Sequence, residues 1–332
     1  VPASYNKNRA TPVLFSFHGN GKNMAYQATL SRFTESAINP DMLAVFPQGL
    51  HSNVSRSRSR NNDGRNGDEG GEDGDQKAKR LGPRCWQGAP YCTHTHPVSD
   101  VEFVGALLDY MREHYCVDDQ RIYASGKSIG GGFVDVLACS ASSSSASTSA
   151  AAAAADGVGS SFAAFAMDAA AVYTEANDGT TTSSFVNSNS TCHARRRTPI
   201  LELHGTNDTR VPYGGGESHN ASLPSIRRVL GTWALRNGCL SSSSSSSSSS
   251  NDSNEVGLPQ PAIDETRIKD GKSYAYTQYD CAGHEGVVVG YNVTGQGHVW
   301  ISRVPNAENH GVHLAPVDAS EVMMDFFNKW TL

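Results

Sequence analysis

No run of about eighteen apolar residues occurs in the chain, so nothing in it reads as a membrane-spanning helix. Charge is sparse and slightly acidic: 27 Lys plus Arg against 33 Asp plus Glu give a formal net charge of −6. That balance leaves no basic footprint for nucleic acid or for an anionic membrane surface. No G-x-x-x-x-G-K-[S/T] match is present, which removes the P-loop reading of the glycine-rich loops. The seven cysteines lack C-x-x-C spacing, so several disulfides in an oxidising compartment are expected rather than a metal or redox motif. Their odd number leaves one free or paired upstream of Val1. The chain opens on Val1 with no methionine or signal peptide, and a mature product or a fragment is expected.

Six N-x-S/T sequons, at Asn53, Asn189, Asn207, Asn220, Asn251 and Asn292, suit a secreted glycoprotein. Residues 52–80 alternate Ser with Arg and then run to Gly, Asp, Glu and Asn. Residues 140–160 are nearly all Ser and Ala, and 240–256 begin with a serine tract. Such segments have too little apolar surface to offset their ordering entropy. They are expected to be disordered insertions in a single catalytic domain spanning 1–332.

Between them, short apolar runs alternate with helical patterns. Val13 to Phe17, Leu43 to Phe46, Ile122 to Ala124, Phe162 to Met167 and Pro199 to Leu203 read as buried strands. Tyr274 to Tyr279 and Gly286 to Val293 read as two more, with a turn at Ala282-Gly283. Ser99 with Glu102 forms a capping-box signature before a helix whose apolar face holds Phe103, Val104, Leu107, Leu108 and Met111. That helix leads through Asp118-Asp119-Gln120 into the next strand. Further helices follow from Phe133, from Ile226 to Trp233 with a stop at Asn237-Gly238, and after Asp318. The alternation predicts an α/β protein with a mostly parallel sheet and helices on both faces.

One turn organises the chemistry. Gly126-Lys127-Ser128-Ile129-Gly130 fits G-x-S-x-G between a strand and a helix. Glycines on either side of a serine permit a sharp turn that stands the hydroxyl clear of the sheet, and the N–H of Ile129 faces a developing oxyanion. The loop His18-Gly19-Asn20-Gly21 is placed to supply a second donor. A serine hydroxyl needs a base, and the base an orienting carboxylate. Ser128, Asp208 and His298 each follow a strand in a glycine-punctuated loop, in the order nucleophile, acid, base. Asp168 is the rival acid, while Glu202 falls within its strand. His18 and His204 are expected to fix loops, and His310 and His313 lie in a polar loop near His298. Cys92, His94 and His96 alternate without a fourth ligand, so no metal centre is expected.

The combined motifs resemble a known family. Phe15-Ser16-Phe17-His18-Gly19, Phe46-Pro47-Gln48-Gly49, Cys85-Trp86-Gln87-Gly88-Ala89-Pro90-Tyr91 and Tyr115-Cys116-Val117-Asp118 carry the likeness. It runs on through Gly126 to Phe133, Leu137-Ala138-Cys139, Pro199 to Asp208, Gly297-His298-Val299-Trp300 and Phe326 to Trp330. Together these are similar to fungal secreted feruloyl esterases of type C, within carbohydrate esterase family 1 and near polyhydroxybutyrate-depolymerase-like esterases. The resemblance implies an α/β-hydrolase fold, with Ser128 as nucleophile, Asp208 as acid and His298 as base. Ile129 and, in the loop after His18, Asn20 become the oxyanion donors. It further implies release of ferulic and related hydroxycinnamic acids from feruloylated arabinoxylan by a secreted monomer without cofactor. Family members carry opening strands ahead of Val1, so a truncated N-terminus is expected. Acetylxylan esterase or polyhydroxybutyrate depolymerase activity is the alternative within enzymes. A catalytically inactive secreted wall-binding protein is the alternative outside them.

Overall fold

The computed structural model describes residues 1–53, 81–92, 94, 98–140, 157–174, 192, 197–239, 258–281 and 283–332. The insertions expected at 52–80, 140–160 and 240–256 lie almost wholly outside these residues, as do the sequons at Asn189 and Asn251 and the turn residue Ala282. One boundary is corrected. Val158–Ser161, assigned from composition to the second insertion, form a 3-10 turn with Gly159 buried, and Val158 packs against the core.

In chain order the elements are β1 (Thr11–Phe17), α1 (Met24–Ser31), β2 (Leu43–Val45), α2 (Asp100–His114), β3 (Val117–Lys127), α3 (Ile129–Cys139), β4 (Ala164–Asp168) and β5 (Ile200–Gly205). They continue with a hairpin of β6 (Gly216–Ser218) and β7 (Ala221–Leu223), then α4 (Ile226–Arg236), β8 (Ile263–Lys269), β9 (Lys272–Cys281), β10 (His284–Val293) and α5 (Ala319–Phe327). Eight strands form one sheet in the order β2-β1-β3-β4-β5-β10-β9-β8. The pairs from β2 across to β10 are parallel, and β9 and β8 close the edge antiparallel.

Alternation along β1 decides which helix covers which face. Phe15 and Phe17 point to one side, where Phe17 meets Phe133 of α3 edge-on at 5.0 Å between ring centroids. Ser16 points to the other side and accepts a bond from Gln27 of α1 at 3.1 Å. Tyr123 of β3 is in register with Leu14, so it shares the α1 face. There it stacks on Phe327 of α5 at 4.9 Å. Helix α4 joins α3 on the opposite face, since Trp233 Nε1 donates to Asp135 at 2.7 Å. Helices therefore cover both faces, with Trp86, Trp233, Trp300 and Phe133 among the largest fully buried side chains.

Helix α1 and strand β8 gave no clear periodic signal, for opposite reasons. Helix α1 buries the polar Gln27 and Ser31, which breaks the apolar repeat. Strand β8 is the sheet edge, and its Asp264, Glu265, Arg267 and Lys269 look like a solvated run; charge of this kind protects an edge. Two expectations are corrected. Phe103 is exposed, leaving Val104, Leu108 and Met111 buried and Leu107 partly buried against the core. Asp118 to Gln120 lie inside β3 rather than in a connecting turn.

Three disulfides join Cys85 to Cys92, Cys139 to Cys192 and Cys239 to Cys281, and Cys116 is free. Of the described sequon asparagines, Asn53, Asn207 and Asn220 are exposed. Asn292 lies within β10 between two paired strands, with its Oδ1 buried, and is a poor acceptor. The Cys239–Cys281 bond closes a separation of 42 residues from the end of α4 to β9. Replacing both cysteines by serine should cost roughly 2–4 kcal/mol, read as a lower denaturation midpoint, with a slope that rises because the uncrosslinked chain exposes more surface on unfolding. A midpoint equal to the parent's would mean that the bond constrains nothing in the unfolded chain.

Candidate active site

Strand β3 delivers Ser128 with a backbone that serine rarely adopts, φ 55° and ψ −120°, immediately before α3. The turn exists because its neighbours lack side chains. A Cβ at position 126 would lie 2.3 Å from Gly130 O, and one at position 130 would lie 2.3 Å from Phe17 O. Main-chain bonds hold the strained residue: Ser128 N donates to Asp168 O at 3.0 Å, and its carbonyl accepts from Gly132 N and Ala171 N, each at 2.9 Å. Asp168 thus meets the turn through its backbone.

The loops after β5 and β10 bring two more side chains to Ser128. His298 Nε2 lies 2.9 Å from Ser128 Oγ, and His298 Nδ1 lies 2.7 Å from Asp208 Oδ2. A nitrogen facing a carboxylate donates, so Nδ1 carries the proton and Nε2 is left as acceptor for the serine hydroxyl. Asp208 Oδ1 accepts from the main-chain N–H groups of Arg210 and Val211, each at 2.9 Å. Burial pushes the Asp208 carboxyl up, but hydrogen bonds from His204 and His298 outweigh it and hold the group well below the usual carboxylate range. Burial lowers the His298 pKa from its ordinary 6.5, Lys127 lowers it further, and Asp208 opposes both. The imidazole is therefore neutral at neutral pH.

A second histidine backs the carboxylate. His204 Nε2 lies 2.7 Å from Val211 O and 3.4 Å from Asp208 Oδ2. Its Nδ1 lies 2.9 Å from Glu202 Oε1, an oxygen that also accepts from Ala170 N. Both ring nitrogens donate, which makes the ring an imidazolium. Burial pulls its pKa down, and the bonds to Asp208 and Glu202 push it up to about 10. This contact was not foreseen; the four-residue spacing of His204 and Asp208 was its only sequence signal.

The other sequence candidates lie elsewhere. Asp168 accepts from Ile301 N at 3.4 Å, and burial raises its carboxyl well above the usual range. His18 is clamped in the loop after β1, with Nδ1 donating to Gly19 O at 2.8 Å and Nε2 accepting from Gly49 N at 3.0 Å. Burial lowers its pKa to about 4. His310 and His313 are exposed. Ligand atoms of Cys85, Cys92 and His94 lie within 4.8 Å of one another, but the two sulfurs are bonded together and neither is a thiolate.

Ser128 and His298 open on a cavity of about 360 Å³, lined also by Gly19, Asn20, Lys22, Tyr26, Lys127, Asn207, Thr209, Arg210, Gly297, Ala307 and Glu308. A Cβ at Gly19 would stand 3.5 Å from Ser128 Cβ, so the loop bearing Asn20 lies directly beside the hydroxyl. The N–H of Ile129 is the first of α3 and has no acceptor within the helix.

A mostly parallel sheet that carries a strained serine between β3 and α3 and a carboxylate and a histidine after β5 and β10 is the α/β-hydrolase fold. Comparisons with known proteins agree. The prolyl oligopeptidase family model matches residues 95–226, the stretch that contains the strained turn. Feruloyl esterase B of Piromyces equi is 25% identical over 243 residues, covering 72% of this chain and 34% of that protein. The chain thus spans about a third of the length of that relative. The solved acetyl xylan esterase from Aspergillus awamori superposes with a TM-score of 0.50 at 13% identity, over 99% of this chain and 92% of the other.

If Ser128 reacts through neutral His298, its labelling by a fluorophosphonate should fall as pH drops through a midpoint below 6.5, the ordinary imidazole value. A midpoint above 6.5 would contradict the environment assigned to His298.

Proposed function

We propose that this chain is a secreted serine carboxylic-ester hydrolase that releases hydroxycinnamic acids, ferulic acid foremost, from plant cell-wall polysaccharide. The observation that carries the reading is the 2.9 Å approach of His298 Nε2 to Ser128 Oγ at a cavity open to substrate. The likeness to a feruloyl esterase supports the substrate class. Three disulfides support an oxidising, extracellular location.

His298 Nε2 removes the Ser128 proton as Oγ attacks the ester carbonyl. The oxyanion of the tetrahedral intermediate sits against the N–H groups of Ile129 and Asn20. Asp208 stabilises the imidazolium and keeps its ring oriented. Collapse expels the sugar alkoxide, which takes the proton from His298 Nε2 and leaves a feruloyl ester on Oγ. Water then repeats the sequence, with His298 as base for the attack and as acid for the departing Ser128 oxygen. Each step uses groups of this chain alone. The acyl ring has Tyr26 to lie against, the one aromatic carbocycle among the described lining residues. An acetyl group needs no such surface, so acetyl xylan is the second substrate reading, favoured by the polar character of the remaining lining.

Ser128→Ala should reduce turnover by on the order of 10⁴-fold or more with little change in melting temperature. Near-parental turnover would remove Ser128 from the mechanism. On a panel of methyl hydroxycinnamates, acetylated xylan and peptide anilides, the cinnamates should be cleaved with the highest kcat/KM. Cleavage of acetylated xylan alone would replace the acyl group in this reading, and cleavage of the anilides alone would replace the reaction.

A further inference from the structure

A buried ion pair beside the site has no part in the chemistry above. Lys127 occupies the position between Gly126 and Ser128, and its side chain is 3% exposed. Its ammonium lies 3.1 Å from Glu308 Oε2 and donates to the main-chain carbonyl of His298 at 3.3 Å. Glu308 Oε2 also accepts from Trp300 N at 2.6 Å, and Oε1 accepts from the Tyr26 hydroxyl at 3.3 Å. The chain just after His298 is thus pinned, with the ammonium on His298 O and the carboxylate on Trp300 N, and that ammonium grows from the end of the nucleophile's own strand.

Taking both charges out of water is costly, and a buried pair is often no more stabilising than apolar residues of the same volume. Stability is therefore a poor reason for it at this position. The location offers another. The separation of Ser128 Oγ and His298 Nε2 depends on two loops that start from different strands, and the Lys127 bond to His298 O spans them directly.

We propose that Lys127 and Glu308 are positioning residues, which fix the histidine loop against the serine turn and hold the charge beside His298 near zero. The proposal rests on the serine-hydrolase reading of the site. The charges facing His298 are Asp208 from the loop after β5, Lys127 from β3 and Glu308 from the loop beyond Trp300. Asp168, at the end of β4, faces Lys127 in turn. Lys127 opposes a proton on the imidazole, and Glu308 and Asp208 favour one. Each half of the pair cancels the other's effect on the base, so the imidazolium formed during acyl transfer meets no net repulsion from the cation that anchors its loop.

The two halves have opposite signatures. In Glu308→Gln, Lys127 is uncompensated, and the acid limb of kcat/KM should move down by about one pH unit. In Lys127→Met, Glu308 is uncompensated and the limb should move up by a similar amount. Each should also lose about 10- to 100-fold in kcat through displacement of the loop. The double variant removes both charges and is the one most certain to fold. Its limb should return close to the parental position while kcat stays at least tenfold low. The same limbs can be read without substrate from the pH dependence of Ser128 labelling by a fluorophosphonate, with melting temperatures measured alongside. Limbs that stay put or move the same way in folded single variants, or a double variant with parental kcat, would overturn the proposal. Failure of the parent protein itself to label at Ser128 would instead remove the serine-hydrolase reading, an outcome that the variants cannot mimic.

Discussion

Ser128 sits at a positive φ that disfavours a side chain, and the surrounding structure is arranged to keep it there. The carbonyl of Asp168 holds its N–H, and its own carbonyl takes bonds from α3 and from the loop after β4. Gly126 and Gly130 leave room for the chain to pass Phe17 at close range. Strain of this kind costs on the order of 1–3 kcal/mol, which is tolerable only where the surrounding backbone holds the turn. Strands β1, β3 and β4, side by side in the sheet, provide that support.

The second constraint is electrostatic. Behind the hydroxyl runs a row of buried ionisable groups, from His298 through Asp208 and His204 to Glu202. Each carries a hydrogen-bonded partner of complementary role, and that pairing is what makes burial of so much charge affordable. Asp208 stays ionised because two histidines and two main-chain N–H groups converge on it. Asp168, for which the 3.4 Å bond from Ile301 N and the charge of Lys127 do not outweigh burial, is raised instead. The contrast explains why two aspartates that both follow strands are not equivalent partners for His298.

Much of this was legible in advance because it depends on local chain properties. Buried strands are short apolar runs, and α4 and α5 repeat their apolar residues at helical spacing, α5 behind its Asp318 cap. The glycines around Ser128 announce a turn that only they permit. Other elements were hidden because their burial is not apolar. Helix α1 buries Gln27, which has Ser16 of the underlying strand β1 as its partner, and no pattern in α1 itself reports that serine. The charged edge strand β8 had the reverse problem, since its role is to face water.

The sequence by itself determined the strand-turn-helix at Ser128, the loop positions of Asp208 and His298, and the alternation that makes a mostly parallel sheet. These follow from backbone conformation and side-chain polarity, which are properties of a few consecutive residues. Only the tertiary structure decided that His298 meets Asp208 and not Asp168, that His204 stands behind the carboxylate, and that Lys127 reaches Glu308. Those contacts join residues up to 181 positions apart in number, as Lys127 and Glu308 are. Their partners are chosen by strand order in the sheet and by the few ångströms within which a hydrogen bond forms, and neither is written in the local pattern.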